Sequence, residues 1–180
     1  MFKAFLSLLT SALLVSGTGH AQAPAAEVQA LTSRLNKLMH FPNSEENSEA
    51  VVSLAHCGVK QTVRKYRGPD DHNAGNISVN SSKKGSSWAI KTDDKVQFEL
   101  NLALEWAEVG SVSYALQKRD EDGSRYYDII VQRHARADGK AASGLADTIS
   151  LSLYTQDEKE VAGLVKQLDA IRRQCTSKEG

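Results

Sequence analysis

The sequence predicts an α+β fold: a bent antiparallel sheet capped by a C-terminal amphipathic helix, with an extra helix ahead of the first strand. Three observations carry that expectation. Val96, Phe98, Leu100, Leu102 and Leu104 alternate with Gln97, Glu99, Asn101 and Ala103, the period-two pattern of a strand with one buried face. Ile149, Leu151 and Leu153 alternate in the same way with Ser150 and Ser152. Val161, Leu164, Val165, Leu168 and Ile171 then recur at spacings of three and four, one apolar stripe along a helix, and Cys175 falls four residues further on that face.

The elements follow in order. Residues 1–23 read as a secretory leader, with Lys3 near the start, an apolar run over 5–15 and a small-x-small cleavage signal at Ala21-Gln22-Ala23. Cleavage is expected after Ala23, which places the mature protein in the periplasm or outside the cell. The apolar run is too short to span a bilayer, although a retained signal anchor is the competing reading. Removing 23 of 180 residues leaves 157, enough for one domain with a sizeable core. That length divides into an N-terminal helix with a linker over 24–49 and a single α+β domain over 50–180.

A helix is expected over 26–41, because Val28, Leu31, Leu35, Leu38 and Met39 share a face and Pro42 stops it. The stretch 51–63 reads as one strand with Cys57, Val59 and, at its end, Val63 facing in, though its first half also fits a helix end. Residues 68–85 are rich in Gly, Pro, Asn and Ser and predict a long surface loop with at most one weak hairpin strand. Trp88-Ala89-Ile90 leads to a turn over 92–95 and then to the central strand. Val112, Tyr114 and Leu116 restart the sheet after a break at 106–110. Asp122-Gly123 marks a hairpin, and Tyr127, Ile129 and Val131 lie on one face of its returning strand. Thr155 with Glu158 three residues later is a capping-box pattern for the last helix.

Two cysteines in an exported chain favour one disulfide, Cys57–Cys175, over two buried thiols. Such a bridge closes a loop of more than a hundred residues and stabilises by about 4–5 kcal/mol in the chain-entropy account. Of 22 basic residues only Lys3 lies in the leader, leaving 21 against 22 acidic ones. That balance argues against a dedicated nucleic-acid binder or a polybasic membrane binder. No stable membrane insertion is expected of the mature chain.

A run of antiparallel strands closed by one C-terminal helix is similar to the pleckstrin-homology-like superfold. The resemblance covers roughly residues 51–175. It rests on the strand 96–104, the Gly110-Ser111-Val112 restart, the hairpin at Gly123 and the strand-to-helix unit over 151–175. It implies a terminal helix that plugs one open end of a bent sheet. Members of that superfold bind phosphoinositides, peptides or protein surfaces, so the resemblance selects no function. The extra N-terminal helix and the Cys57–Cys175 staple depart from it, and an exported bacterial-type protein would not meet phosphoinositides.

Constellations that would carry chemistry are weak. No Gly-x-Ser-x-Gly occurs. His56 and Cys57 are adjacent, and on a strand they would point to opposite faces. Asp70-Asp71-His72 has no spaced partners for a metal, and His40 and His134 stand alone in sequence. Glu99 and Glu105 lie about 20 Å apart along their strand, too far for a catalytic carboxylate pair. The reading is therefore of a chain without catalytic, metal-ligating or cofactor-binding residues.

Surface chemistry offers more. Arg125, Tyr126, Arg133, His134 and Arg136 surround the returning strand, and Lys60, Arg64 and Lys65 decorate the first one. These residues are the candidate surface for an acidic partner, with Tyr126, Trp88 and Trp106 as aromatic anchors. Basic residues at sheet edges also serve to block aggregation, and the tryptophans also suit the ends of a core. The leading expectation is a non-enzymatic exported module that binds another protein, such as an inhibitor or an immunity protein for a toxic effector. The alternative is a periplasmic carrier of a small molecule or lipid, using a pocket between the sheet and the C-terminal helix. An enzyme with a site assembled from distant residues is the third class.

Overall fold

Strict alternation over Val96–Glu105 gives the strand at the centre of a five-stranded antiparallel sheet. The computed structural model describes residues 25–40, 47–55, 57–68, 78–83, 85–93, 95–120, 122–134 and 147–177. Residues 1–23, where a leader is expected, His56, the Asp70-Asp71-His72 stretch and Arg136 lie outside those residues. In chain order the elements are α1 (Ala25–Met39), β1 (Ser48–Ala55), β2 (Gly58–Tyr66), β3 (Ser78–Lys83), β4 (Ser86–Lys91) and β5 (Val96–Glu105). A 3-10 turn (Trp106–Glu108) then leads to β6 (Val109–Lys118), β7 (Arg125–Arg133), β8 (Thr148–Leu153) and α2 (Glu158–Thr176).

The strands form two antiparallel sheets, ordered β1-β2-β5-β4-β3 and β6-β7-β8. The chain passes from one to the other at the 3-10 turn, where Trp106 is fully buried. The α+β architecture, the C-terminal helix and the extra N-terminal helix are those the sequence predicts. Val161, Leu164 and Leu168 of α2 are buried without residue, each full aliphatic burial contributing about 1.5–3 kcal/mol. Leu31, Leu35 and Met39 of α1 join the same core, so the N-terminal helix is packed into the domain. Tyr154 N–H donates to the Leu38 carbonyl at 2.8 Å, and Arg34 meets Glu160 at 2.8 Å to tie α1 to α2.

Several local expectations change. The single strand expected over 51–63 is a hairpin, because Cys57 takes a left-handed φ of 56° and turns the chain between Ala55 and Gly58. Cys57 thus sits in a turn and not on an inward strand position, and the strand-alternation argument applied to His56 falls with it. The Ser78–Lys83 segment inside the expected loop is a regular strand paired to β4. Gly85, with φ of 67°, closes that hairpin, and a Cβ there would lie 2.2 Å from Glu108 Cγ. The cap of α2 is Asp157, whose Oδ1 accepts from Glu160 N–H at 3.1 Å, while Thr155 Oγ1 accepts from Asp157 N–H one step earlier.

The disulfide joins Cys57 to Cys175, 118 residues apart in sequence with Cα atoms 5.6 Å apart. It fastens the last turn of α2 to the β1–β2 turn, and the Cys57 carbonyl also accepts the Trp106 N–H at 2.8 Å. Left-handed backbone costs a non-glycine residue about 1–2 kcal/mol, which the bridge and this hydrogen bond offset. We therefore expect Cys175→Ser to lower the unfolding free energy of the oxidised protein by about 4 kcal/mol in urea denaturation. In that background Cys57→Gly should recover about 1 kcal/mol, whereas Cys57→Val should lose more. Equal stability of these two double variants would refute the strained-turn account.

Candidate interaction surface

The five-stranded sheet has two chemically distinct faces. On one, alternate residues of β2 and β5 build a polar ladder. Thr62 Oγ1 donates to Asn101 Oδ1 at 2.8 Å, and Asn101 Nδ2 donates to Glu99 Oε1 at 2.7 Å. Arg64 Nε donates to Glu99 Oε2, and a second Arg64 nitrogen lies 3.5 Å from Glu49, which also accepts from the Tyr66 hydroxyl at 2.9 Å. The Arg64 guanidinium, helped by Asn101, holds the Glu99 carboxyl below its ordinary range. At the strand end, the backbone N–H groups of Val96 and Lys95, with Lys91 alongside, lower Asp93 to about 2.

The other face is apolar, and its burial decays in rows. Leu54, Val59, Leu104 and Ser86 lie side by side across β1, β2, β5 and β4, and none is more than 7% exposed. The next row, Val52, Gln61, Leu102 and Trp88, is buried except for half-buried Trp88. Gln61 reaches across, its Nε2 donating to the Ser150 carbonyl of β8 at 2.8 Å. In the third row Ala50, Val63, Leu100 and Ile90 are half-buried, and Val79 at its end is 47% exposed. Phe98 follows, half-buried beside exposed Lys65. Beyond the second row the apolar face is incompletely covered, and continuous half-exposed apolar surface of this kind marks interaction sites.

The residues singled out from sequence do not assemble into one patch. Lys60 and Arg64 stand on the polar face of the large sheet, whereas Lys65 stands on the apolar face. Arg125 and Tyr126 lie at one end of β7 and Arg133 and His134 at the other, about 26 Å away by strand rise. Tyr126 packs on Tyr154 with ring centroids 5.8 Å apart, and the Arg125 carbonyl accepts from Gln156 Nε2 at 3.0 Å. Arg133 turns inward: its guanidinium lies 2.8 Å from Glu108 and 3.5 Å from Asp147, and donates to Ser86 Oγ at 3.2 Å. It joins the two sheets, with its side chain 16% exposed and that of Asp147 only 6%. His134 is exposed, its N–H donating to the Glu108 carbonyl at 2.9 Å. The tryptophans divide, Trp106 sealing the core and Trp88 bordering the open part of the apolar face.

Sequence reasoning placed Val63, Ile90, Phe98 and Leu100 in the core or left them unremarked. Period-two alternation reports which face a residue takes, but not how far along the strand the covering layer extends. Val161, Leu164 and Leu168 of α2 are fully buried in the core. A concavity of about 340 Å³ lies between the two helices, over Ala30, Leu31, Ala170 and Ile171. Among the described residues no three His, Cys, Asp or Glu side chains converge as a metal site. No described helix is long and apolar enough to cross a membrane. No protein-family model, curated protein or solved structure matches this chain.

Two outcomes test this electrostatic layout. Arg133→Met removes a counter-charge from the buried Asp147 and Glu108 and should cost about 3 kcal/mol in chemical denaturation, with Asp147→Asn in that background restoring part of it. Asp93 and Glu99 have folded values depressed below their unfolded ones. Their stabilisation is therefore present above about pH 4 and lost as pH falls below it, for Asp93 toward about 2. The thermal midpoint should drop across that window, and Asp93→Asn should flatten the drop while lowering the midpoint at neutral pH. An Asp93→Asn profile parallel to wild type would contradict the assignment.

Proposed function

We propose that this chain is an exported, non-enzymatic module that binds another protein through the open part of the large sheet's apolar face. One observation carries the reading: Val63, Ile90, Leu100, Phe98 and Val79 form a contiguous apolar surface that the rest of the described fold leaves half-covered. The leader-like residues 1–23 and the Cys57–Cys175 bridge support export into an oxidising compartment. A rigid, stapled scaffold lowers the ordering cost of binding, and such a module suits an inhibitor or an immunity-type protein.

Site-specific photo-crosslinking in the cells that make the protein tests this. A crosslinker at Ile90 or Leu100 should trap one discrete protein species. The same group at Lys166 on the solvent side of α2 should trap none, and Phe98→Asp should abolish the adduct while far-ultraviolet circular dichroism stays unchanged. Trapping of lipid or small metabolite alone would replace this reading with that of a carrier. An adduct equally strong at Lys166 would remove the assignment of the face.

A further inference from the structure

The large sheet has two edges, and the fold treats them differently. The β1 edge is closed by α1. Asn36 Nδ2 donates to the Val52 carbonyl at 2.9 Å and Asn36 Oδ1 accepts the Val52 N–H at 2.7 Å, so its amide imitates the peptide of a neighbouring strand. In the small sheet Gln61 meets β8 at the Ser150 carbonyl, and Arg172 donates to the Val109 carbonyl at the start of β6 at 3.3 Å. The β3 edge has no such cover from the described residues. Five of its six residues are exposed, it contains no proline or bulge, and its single charge is Lys83. Exposed edges are ordinarily blocked by charge, proline or a covering element, because their unpaired N–H and C=O groups template another strand.

The free edge is continuous with the half-covered face, since Val79 of β3 extends the row Val63–Leu100–Ile90. Among the described paired residues of this face only Lys65 and Lys83 are charged, while Glu108 and Asp147, both held by Arg133, meet the face at Ser86, the partner of Lys83. Glu49, Glu99 and Glu105 of the sheet alternate onto the opposite face, the first two engaged with Arg64. A strand laid along β3 would place every second side chain on the apolar face and meet positive charge there.

From this asymmetry we infer that β3 is a docking edge for an extended segment of a partner protein in which apolar and acidic residues alternate. The segment adds as a sixth strand, its apolar side chains beside Val79 and Ile90 and a carboxylate near Lys83. The inference rests on the reading of this face as the interaction surface and specifies how the partner is held.

The test uses the folded, disulfide-bonded protein and three acetylated octapeptides: alternating Val-Glu, alternating Val-Lys, and Val-Glu with alternate backbone nitrogens methylated on one edge. Binding is followed by NMR titration and by amide exchange of β3. The Val-Glu peptide should bind about tenfold more tightly than Val-Lys, slow exchange within Ser78–Lys83, and lose about tenfold on methylation. Lys83→Glu should reverse the charge preference without altering the fold. Charge-independent binding, no binding, or protection of β3 by self-association without peptide would each overturn the inference. Binding that shifts Leu100 and Phe98 yet leaves β3 exchange and the methylated peptide unaffected would overturn strand addition alone and leave the interaction face standing.

Discussion

The hydrogen bond from Trp106 N–H to the Cys57 carbonyl marks the point on which the two-sheet arrangement depends. β5 must leave the large sheet there and enter the small one as β6, and a strand cannot change sheets without a local break in its ladder. The 3-10 turn Trp106–Glu108 supplies the break, and the freed N–H of Trp106 needs a partner inside the core. The left-handed Cys57 turns its carbonyl into that role while its sulfur holds α2. Glu108, the last residue of the turn, anchors the other side, accepting from His134 N–H through its carbonyl and from Arg133 through its carboxylate. One three-residue turn is thus gripped by β1–β2, β7 and α2 together.

That grip explains the burial gradient. Cover is thickest where the small sheet, the 3-10 turn and both helices converge, over the row Leu54, Val59, Leu104 and Ser86. Each row further from the junction has less to pack against, so the same period-two pattern yields fully buried Leu104 and half-buried Leu100 and Phe98. The large sheet is consequently firm at one end and open at the other. A fold needs no such overhang for stability, since an apolar row without a covering layer contributes little burial. The overhang carries the polar ladder on its back and a half-exposed apolar surface on its front.

Much of the architecture was legible in the residues, because alternation and the α2 stripe are local signals. The strands over 96–105, 125–133 and 148–153 and the terminal helix sit within a residue or two of expectation. The β1–β2 hairpin was not legible, since Cys57 carries no turn preference and adopts its conformation only because Cys175 and Trp106 hold it there. β3 was obscured by its composition: Ser, Asn and Ser are turn formers in isolation, and pairing with β4 overrides that preference. The dispersal of the candidate surface residues has a different reason. Clusters of arginine in sequence say nothing about what faces them, and Arg64 and Arg133 found their carboxylates on neighbouring elements that no spacing rule connects.

The same contrast bears on how a partner is recognised. Charges already satisfied within the fold offer little to an incoming chain, because breaking Arg64 from Glu99 or Arg133 from Glu108 costs what a new pair would return. Among the described residues the groups without internal use are the apolar rows past Leu102, the β3 backbone and the lysines that border them, and the proposed recognition falls to these. Asn36 sharpens the point. At the β1 edge a half-buried asparagine makes two hydrogen bonds to Val52 that an aliphatic residue could not make. Within one sheet, an edge closed by such a device stands opposite an edge that the described residues leave uncovered, and the proposed strand addition is a use that fits this difference.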